Sequence, residues 1–375
     1  MQYTDALAAT IDDVVAPNAS DVDRNATFPR RSLDALGGAG ILGLVTGADA
    51  GGAGLGLRAA AEVIEQLSRA CGSTAMVVLM HYAAASLLEA HGDKDVREAI
   101  GAGRHLTTLA FSEAGSRSHF WAPLSSALRV DGDVRLDAHK SWVTSAGEAA
   151  SYVWSSRPLE ADGPMTLWLV PADAPGLSQP GPFDGLGLRG NASTPVTADG
   201  VVVSEDAMLG GDGGGLDVAL SVVLPPFLVL NSAFSLGLME AVTAEVGHHL
   251  GTTRLEHLDQ ALVQQPIIRA GYASMRLETD RTRAFLDDTI TALETGREDA
   301  MLRVLEVKAA AAEAAVEVTD LAMKVGGGAA FRREVGIERR FRDARAARVM
   351  APTTDALLDF VGRAISGLPL LDPAT

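Results

Sequence analysis

A single cysteine in 375 residues excludes an intrachain disulfide and fits a reducing cytoplasm. Cys71 shares an apolar helix face with Ile64 and Leu67, which reads as packing rather than reactivity. Cations are also scarce: 31 Lys and Arg stand against 48 Asp and Glu, a net charge of −17. Phosphate backbones need clustered positive charge, so nucleic acid is not an expected partner. The chain does not open on basic residues followed by an apolar core, so no signal peptide is visible. No internal repeat, low-complexity tract or metal-ligand cluster stands out. Long uncharged runs are few. The main one, Val218 to Met239, is long enough to cross a bilayer, but Pro225-Pro226, Asn231 and three serines interrupt it. It predicts a buried core helix with a kink or fresh start near the prolines, and no membrane span.

What is present describes a soluble globular chain of two or three domains, 47% hydrophobic and 21% charged. One stretch reads as strand: Leu106 to Leu209, densest at Lys140-Ser141-Trp142-Val143-Thr144. Short β-rich runs recur at Thr107–Phe111, Ala127–Val130, Val134–Leu136, Ser141–Thr144, Tyr152–Ser155, Thr166–Val170 and Val201–Val203. Asp131-Gly132, Asp162-Gly163-Pro164, Ala174-Pro175-Gly176 and Asp199-Gly200 punctuate them as turns. Strands without intervening helices predict a small antiparallel barrel or sandwich.

Helical sequence flanks this region. The expected division is a helical domain over 1–105, a β-barrel over 106–210 and a helical bundle over 211–375, giving an α+β fold. The helix through Leu88 is apolar nearly all round, so His81 within it reads as a satisfied core histidine. Ile41–Val45 reads as a strand, and Gly54-Leu55-Gly56-Leu57-Arg58-Ala59 matches the G-x-G-x-x-A dinucleotide fingerprint. A second strand and a later acid are missing, so that match is a decoy.

The order of these parts and of several motifs resembles the acyl-CoA dehydrogenase family of flavoproteins over essentially the whole chain. The motifs include Gly51-Gly52-Ala53-Gly54, Gly72-Ser73-Thr74-Ala75, Ser112-Glu113-Ala114-Gly115-Ser116-Arg117-Ser118 and Lys140-Ser141-Trp142-Val143-Thr144-Ser145. Gly187-Leu188-Arg189-Gly190 and Gly327-Gly328 through Phe331 to Arg342-Asp343-Ala344 follow in order. The resemblance implies bound FAD, an acyl-thioester substrate, a homodimer or homotetramer, and an electron-transfer flavoprotein or reductase as partner. It implies that Thr144 hydrogen-bonds at flavin N5, that Trp142 packs on the ring and that Phe111 and Ser112 lie along its edge. Ser118 would reach the pyrophosphate, Gly327 and Gly328 would admit a neighbouring subunit's nucleotide, and Thr353 would contact the cofactor. The arginines from Arg332 to Arg348 are expected at a subunit contact, at FAD phosphates or on a solvated face.

The resemblance breaks at the catalytic base. The family's glutamate after the R-D-A segment falls on Ala351, which has no proton acceptor. The alternative family position, on the first long helix of the bundle, falls at the apolar Phe227-Leu228. Three readings follow. In one, the chain remains a dehydrogenase whose base is Asp355, one helical turn past Ala351, or His119 or Glu113. In another, it is a flavin-dependent monooxygenase or oxidase acting on a non-thioester substrate, with His119 as acid or base. In the third, it binds flavin without catalysis.

Overall fold

The computed structural model describes residues 2–116 and 119–371. The N-terminal part is helical. α1 (Tyr3–Thr10), α2 (Ala16–Arg24) and α3 (Arg30–Gly38) lead to α4 (Leu57–Ala70), which buries Ala60, Val63, Ile64 and Leu67 along one stripe. α5 (Gly72–His91) has small or apolar residues on all faces and is buried along most of its length. α6 (Lys94–Gly101) starts where the Asp93 carboxylate accepts the Val96 N–H.

Residues 41–45 are turns, not the expected strand. Side chains of α5 occupy two of their carbonyls: Tyr82 donates its hydroxyl to Ile41 O at 2.5 Å, and His81 Nε2 lies 3.0 Å from Leu42 O. His81 Nδ1 accepts from the Thr107 backbone N–H at 3.2 Å, so both ring nitrogens are used. Burial pushes this imidazole down to about 4, leaving it a neutral tie between α5 and the first strand.

Eight strands follow: β1 (Thr107–Ala110), β2 (Ser126–Val130), β3 (Asp133–Val143), β4 (Ser151–Ser156), β5 (Thr166–Pro171), β6 (Leu177–Ser178), β7 (Thr194–Val203) and β8 (Met208–Leu209). They form two four-stranded sheets, β1-β4-β5-β8 and β2-β3-β7-β6. Pairing is antiparallel throughout both sheets except between β1 and β4, which run parallel, so the expected all-antiparallel arrangement holds for every other pair. Alternation along β4 explains its complete burial. Val153 faces the helical core, while Tyr152 and Trp154 fill the space between the sheets.

The C-terminal part begins with α7 (Gly215–Val218), a π turn over Ala219–Val223, and α8 (Leu224–Thr252). The prolines sit where the π turn passes into α8, so their missing N–H groups fall at this irregular join of the helical run. α5 and the 215–252 run are long and apolar enough to cross a membrane, and both are mostly buried in the protein. α9 (Pro266–Thr295) and α10 (Ala300–Ala330) pack with α8 as a bundle, against which α4 also lies. Gly327, at φ +58°, interrupts α10; α11 (Ile337–Val349) and α12 (Thr354–Ile365) complete the chain. One apolar core runs unbroken from the N-terminal helices into this bundle, beside a separate core between the sheets.

Candidate functional site

Where the strands meet the bundle lies a cavity of about 1840 Å³. Its strand wall is organised by a bulge. The register between β3 and β7 shifts between Lys140 and Val143, and Trp142 takes φ +55°. An unbroken strand would point Lys140 and Trp142 to the same face. The bulge separates them, burying Lys140 completely and leaving Trp142 71% exposed along the cavity. Non-glycine residues seldom adopt this left-handed conformation, and here it holds the indole out along the cavity. Thr144, just beyond, is buried at the cavity edge with Oγ1 2.9 Å from Ser193 Oγ. Ser141 N–H donates to Ser112 O at 2.9 Å, which draws Phe111 and Ser112 alongside the bulge.

Glu113 does not face this space as a free base. Lys140 Nζ donates to Oε1 at 2.5 Å, Ser125 Oγ donates to the same oxygen at 2.5 Å, and the Leu124 and Ser125 N–H groups donate to Oε2. Burial opposes its ionisation, but the Lys140 charge and these donors outweigh burial and hold its carboxyl below the usual range. Glu113 lines the cavity with its oxygens already taken by these donors, and it anchors the strand wall.

The helix wall is the turn between α11 and α12. Met350, Ala351, Pro352 and Thr353 all line the cavity. From beneath, the buried Lys308 of α10 donates to Met350 O at 3.2 Å and to Pro352 O at 2.9 Å. Burial drags its ammonium down to about 7, with Glu313 opposing at longer range. Thr353 caps α12 by accepting the Ala356 N–H, and the buried Thr354 hydroxyl lines the cavity without a hydrogen-bond partner among the described residues. Asp355, in the first turn of α12, is exposed and lines the cavity; Ala351 and Phe227 line it too and carry no acceptor.

The N-terminal, middle and C-terminal acyl-CoA dehydrogenase domain families match residues 2–102, 108–201 and 213–366 in order. The chain belongs to the acyl-CoA dehydrogenase family. It is 28% identical to the human mitochondrial short-chain specific acyl-CoA dehydrogenase over 349 residues, spanning 90% of this chain and 83% of that protein. Its fold superimposes on butyryl-CoA dehydrogenase from Megasphaera elsdenii with a TM-score of 0.90 at 19% identity, covering 97% and 98% of the two chains. The prolyl acyl carrier protein oxidase AnaB gives a TM-score of 0.87 at 18% identity, covering 97% and 98% of the two chains.

Acyl-CoA dehydrogenase family members are flavin-dependent oxidoreductases acting on CH–CH donors, and FAD is the cofactor. The cavity fits that group: it is roomy, it displays an exposed indole on one wall, and it offers an unpartnered threonine hydroxyl on the other.

The structure brings Phe111, Ser112, Trp142, Thr144, Thr353, Asp355 and His119 to one cavity. Ser118 lies outside the described residues. Gly327 and Gly328 are exposed and do not line it; a Cβ at either would meet nothing within 4 Å. The arginine-rich segment mostly staples the protein together. Arg340 is buried against Ser68 O, Arg69 O and Glu245; Arg342 pairs with Asp23 and Glu338; Arg345 pairs with Asp320 and Arg348 with Glu313. Sequence reasoning missed Lys308, Ser193 and Asn191, which lines the cavity and whose carbonyl accepts the Ser145 N–H at 2.9 Å. A lysine within the apolar run of α10 was the available signal for the first; the other two sit in an ordinary-looking loop.

Proposed function

We propose that the chain is an acyl-thioester dehydrogenase in which Asp355 takes the place of the family's glutamate. The observation that supports this most is the pairing of Trp142 and Thr144 on one wall of the cavity with an exposed carboxylate on the other, next to the turn holding Ala351. Bound FAD supplies a two-electron acceptor for the hydride that leaves the substrate's β carbon. Asp355, exposed on the helix wall, takes the α proton, and the C–H electrons remain as the new α,β double bond. Thr144 is a hydrogen-bond donor toward the flavin, pre-oriented by Ser193. Trp142, Phe111, Ser112 and Thr353 bound the ring, and Gly327-Gly328 leave room for a neighbouring subunit's nucleotide in a homodimer or homotetramer. An electron-transfer flavoprotein or reductase would accept the electrons.

A second reading draws support from the apolar Ala351 and the exposed imidazole of His119 in the same cavity. It is a flavin-dependent oxidase or monooxygenase on a non-thioester substrate. Anaerobic mixing of the FAD-loaded protein with butanoyl-CoA separates the two. Bleaching of the flavin absorbance supports dehydrogenation. Absence of bleaching, with oxygen uptake once reduced flavin is supplied, supports the second reading. Asp355→Asn is expected to slow bleaching about 10²–10⁴-fold; an unchanged rate removes Asp355 as the base.

A further inference from the structure

Aromatic rings close part of this cavity. Trp121, between β1 and β2, is touched by three of them. His119 stacks on its indole with ring centres 4.8 Å apart and planes 23° apart, Phe120 meets it edge-on at 5.3 Å, and Phe360 of α12 leans on it at 5.4 Å. Phe120, Trp121 and Phe360 are between 4% and 9% exposed, so these rings pack together rather than standing open like Trp142. Met80 of α5 and Phe227 of α8 continue the apolar lining, and the π turn before α8 adds Ala219 and Val223. Such turns insert a residue into a helix and re-aim its neighbours, often beside functional sites.

We infer that this aromatic wall limits the acyl group to a compact one and that Trp121 is the specificity-determining residue. The inference rests on the acyl-thioester reading above. A short acyl group reaches the wall and stops. An extended chain must push the indole out of three ring contacts, the one with Phe360 linking the segment before β2 to α12, and the additional methylenes then gain little burial. The loop contributing the wall is the one that also carries His119, whose exposed ring face is part of the surface the acyl group meets.

The test is calorimetric titration of the FAD-loaded full chain with butanoyl-, hexanoyl- and octanoyl-CoA, on wild type, Trp121→Ala and Trp121→Phe. Flavin content and thermal melting check that each variant is folded. In wild type, affinity is expected to be flat or falling from butanoyl to octanoyl. In Trp121→Ala, the octanoyl-to-butanoyl affinity ratio is expected to rise by about tenfold or more, as methylenes enter the vacated space; Trp121→Phe lies between and carries the readout if the alanine variant does not fold. Wild-type affinity that climbs steadily with chain length overturns the inference, as does an unchanged ratio in the variants. Short-chain preference relieved by the variants, without flavin bleaching, upholds the wall and removes the dehydrogenase reading. Failure of every thioester to bind any of the proteins overturns both.

Discussion

Two lysines are fully buried, one behind each wall of the cavity, and they are held in different ways. Lys140, behind the strand wall, has a carboxylate partner in Glu113, two acceptors on Ser155 at 2.7 and 2.9 Å, and the Trp154 ring 5.1 Å away. Lys308, behind the helix wall, has two backbone carbonyls and, among the described residues, no carboxylate in ion-pair contact. Burial lowers both ammonium groups, Lys140 to about 8 against the pull of Glu113 and Lys308 to about 7. The strand wall is therefore fixed by an internal ion pair. The turn that carries Ala351 hangs on a clamp whose charge changes near neutral pH.

The largest effect expected from this contrast is at Glu113. Glu113→Gln strands the Lys140 charge in the interior and should cost about 3–5 kcal/mol in denaturant unfolding. The native carboxyl is held below its unfolded value, so its contribution is present above that value and is lost as pH falls through the native one. The variant should accordingly show a flatter acid limb in its stability profile, and a variant as stable as wild type breaks the contrast.

Lys308→Met comes next. Two carbonyls lose their donor, at about 1–3 kcal/mol, partly offset because no ammonium is buried. Its native pKa lies below the unfolded one, so the unfolded chain binds more protons between about 7 and the ordinary lysine value. Wild-type stability should rise across that window relative to Lys308→Met, as read by melting at pH 6.5 and pH 9. A pH-independent difference would make the two lysines alike.

The smallest stability effect is expected at the exposed bulge. Trp142→Ala should leave unfolding free energy within about 0.5 kcal/mol while lowering FAD retention on dialysis. Loss of stability without loss of flavin would move this residue from the site to the scaffold.

These contrasts also separate what was legible in the sequence from what was not. Alternating β-branched and aromatic runs with turn dipeptides located β1 to β5 and the end of β7, because period-two burial leaves that trace in composition. The run Lys140 to Thr144 announced itself as strand, but the bulge that turns Trp142 outward depends on pairing with β7 more than fifty positions later. Residues 41–45 carried a strand's composition, yet side chains of α5 claim the carbonyls of Ile41 and Leu42. The partner of Glu113 lies 27 residues away on another strand, and the carbonyls of Lys308 lie 42 and 44 residues on. Local pattern cannot report such meetings. The motif order located the cavity residues Phe111, Ser112, Trp142, Thr144 and Thr353, and the absence at Ala351, because each follows a recognisable local segment.

Asp343 of α11 shows what joins the parts. Its Oδ1 accepts the Leu188 N–H at 2.7 Å, and its Oδ2 lies so near Gly72 that a Cβ there would sit 2.7 Å away. Burial raises this carboxyl to about 6, so it is kept at some cost. One side chain thus meets the start of α5, the loop before β7 and the last helices at a single point. A chimera that exchanged the β unit with a relative's would have to import a matching Gly187-Leu188 loop and keep Gly72 bare. Grafts that ignore this junction should fail as whole proteins, however well the borrowed strands pair among themselves.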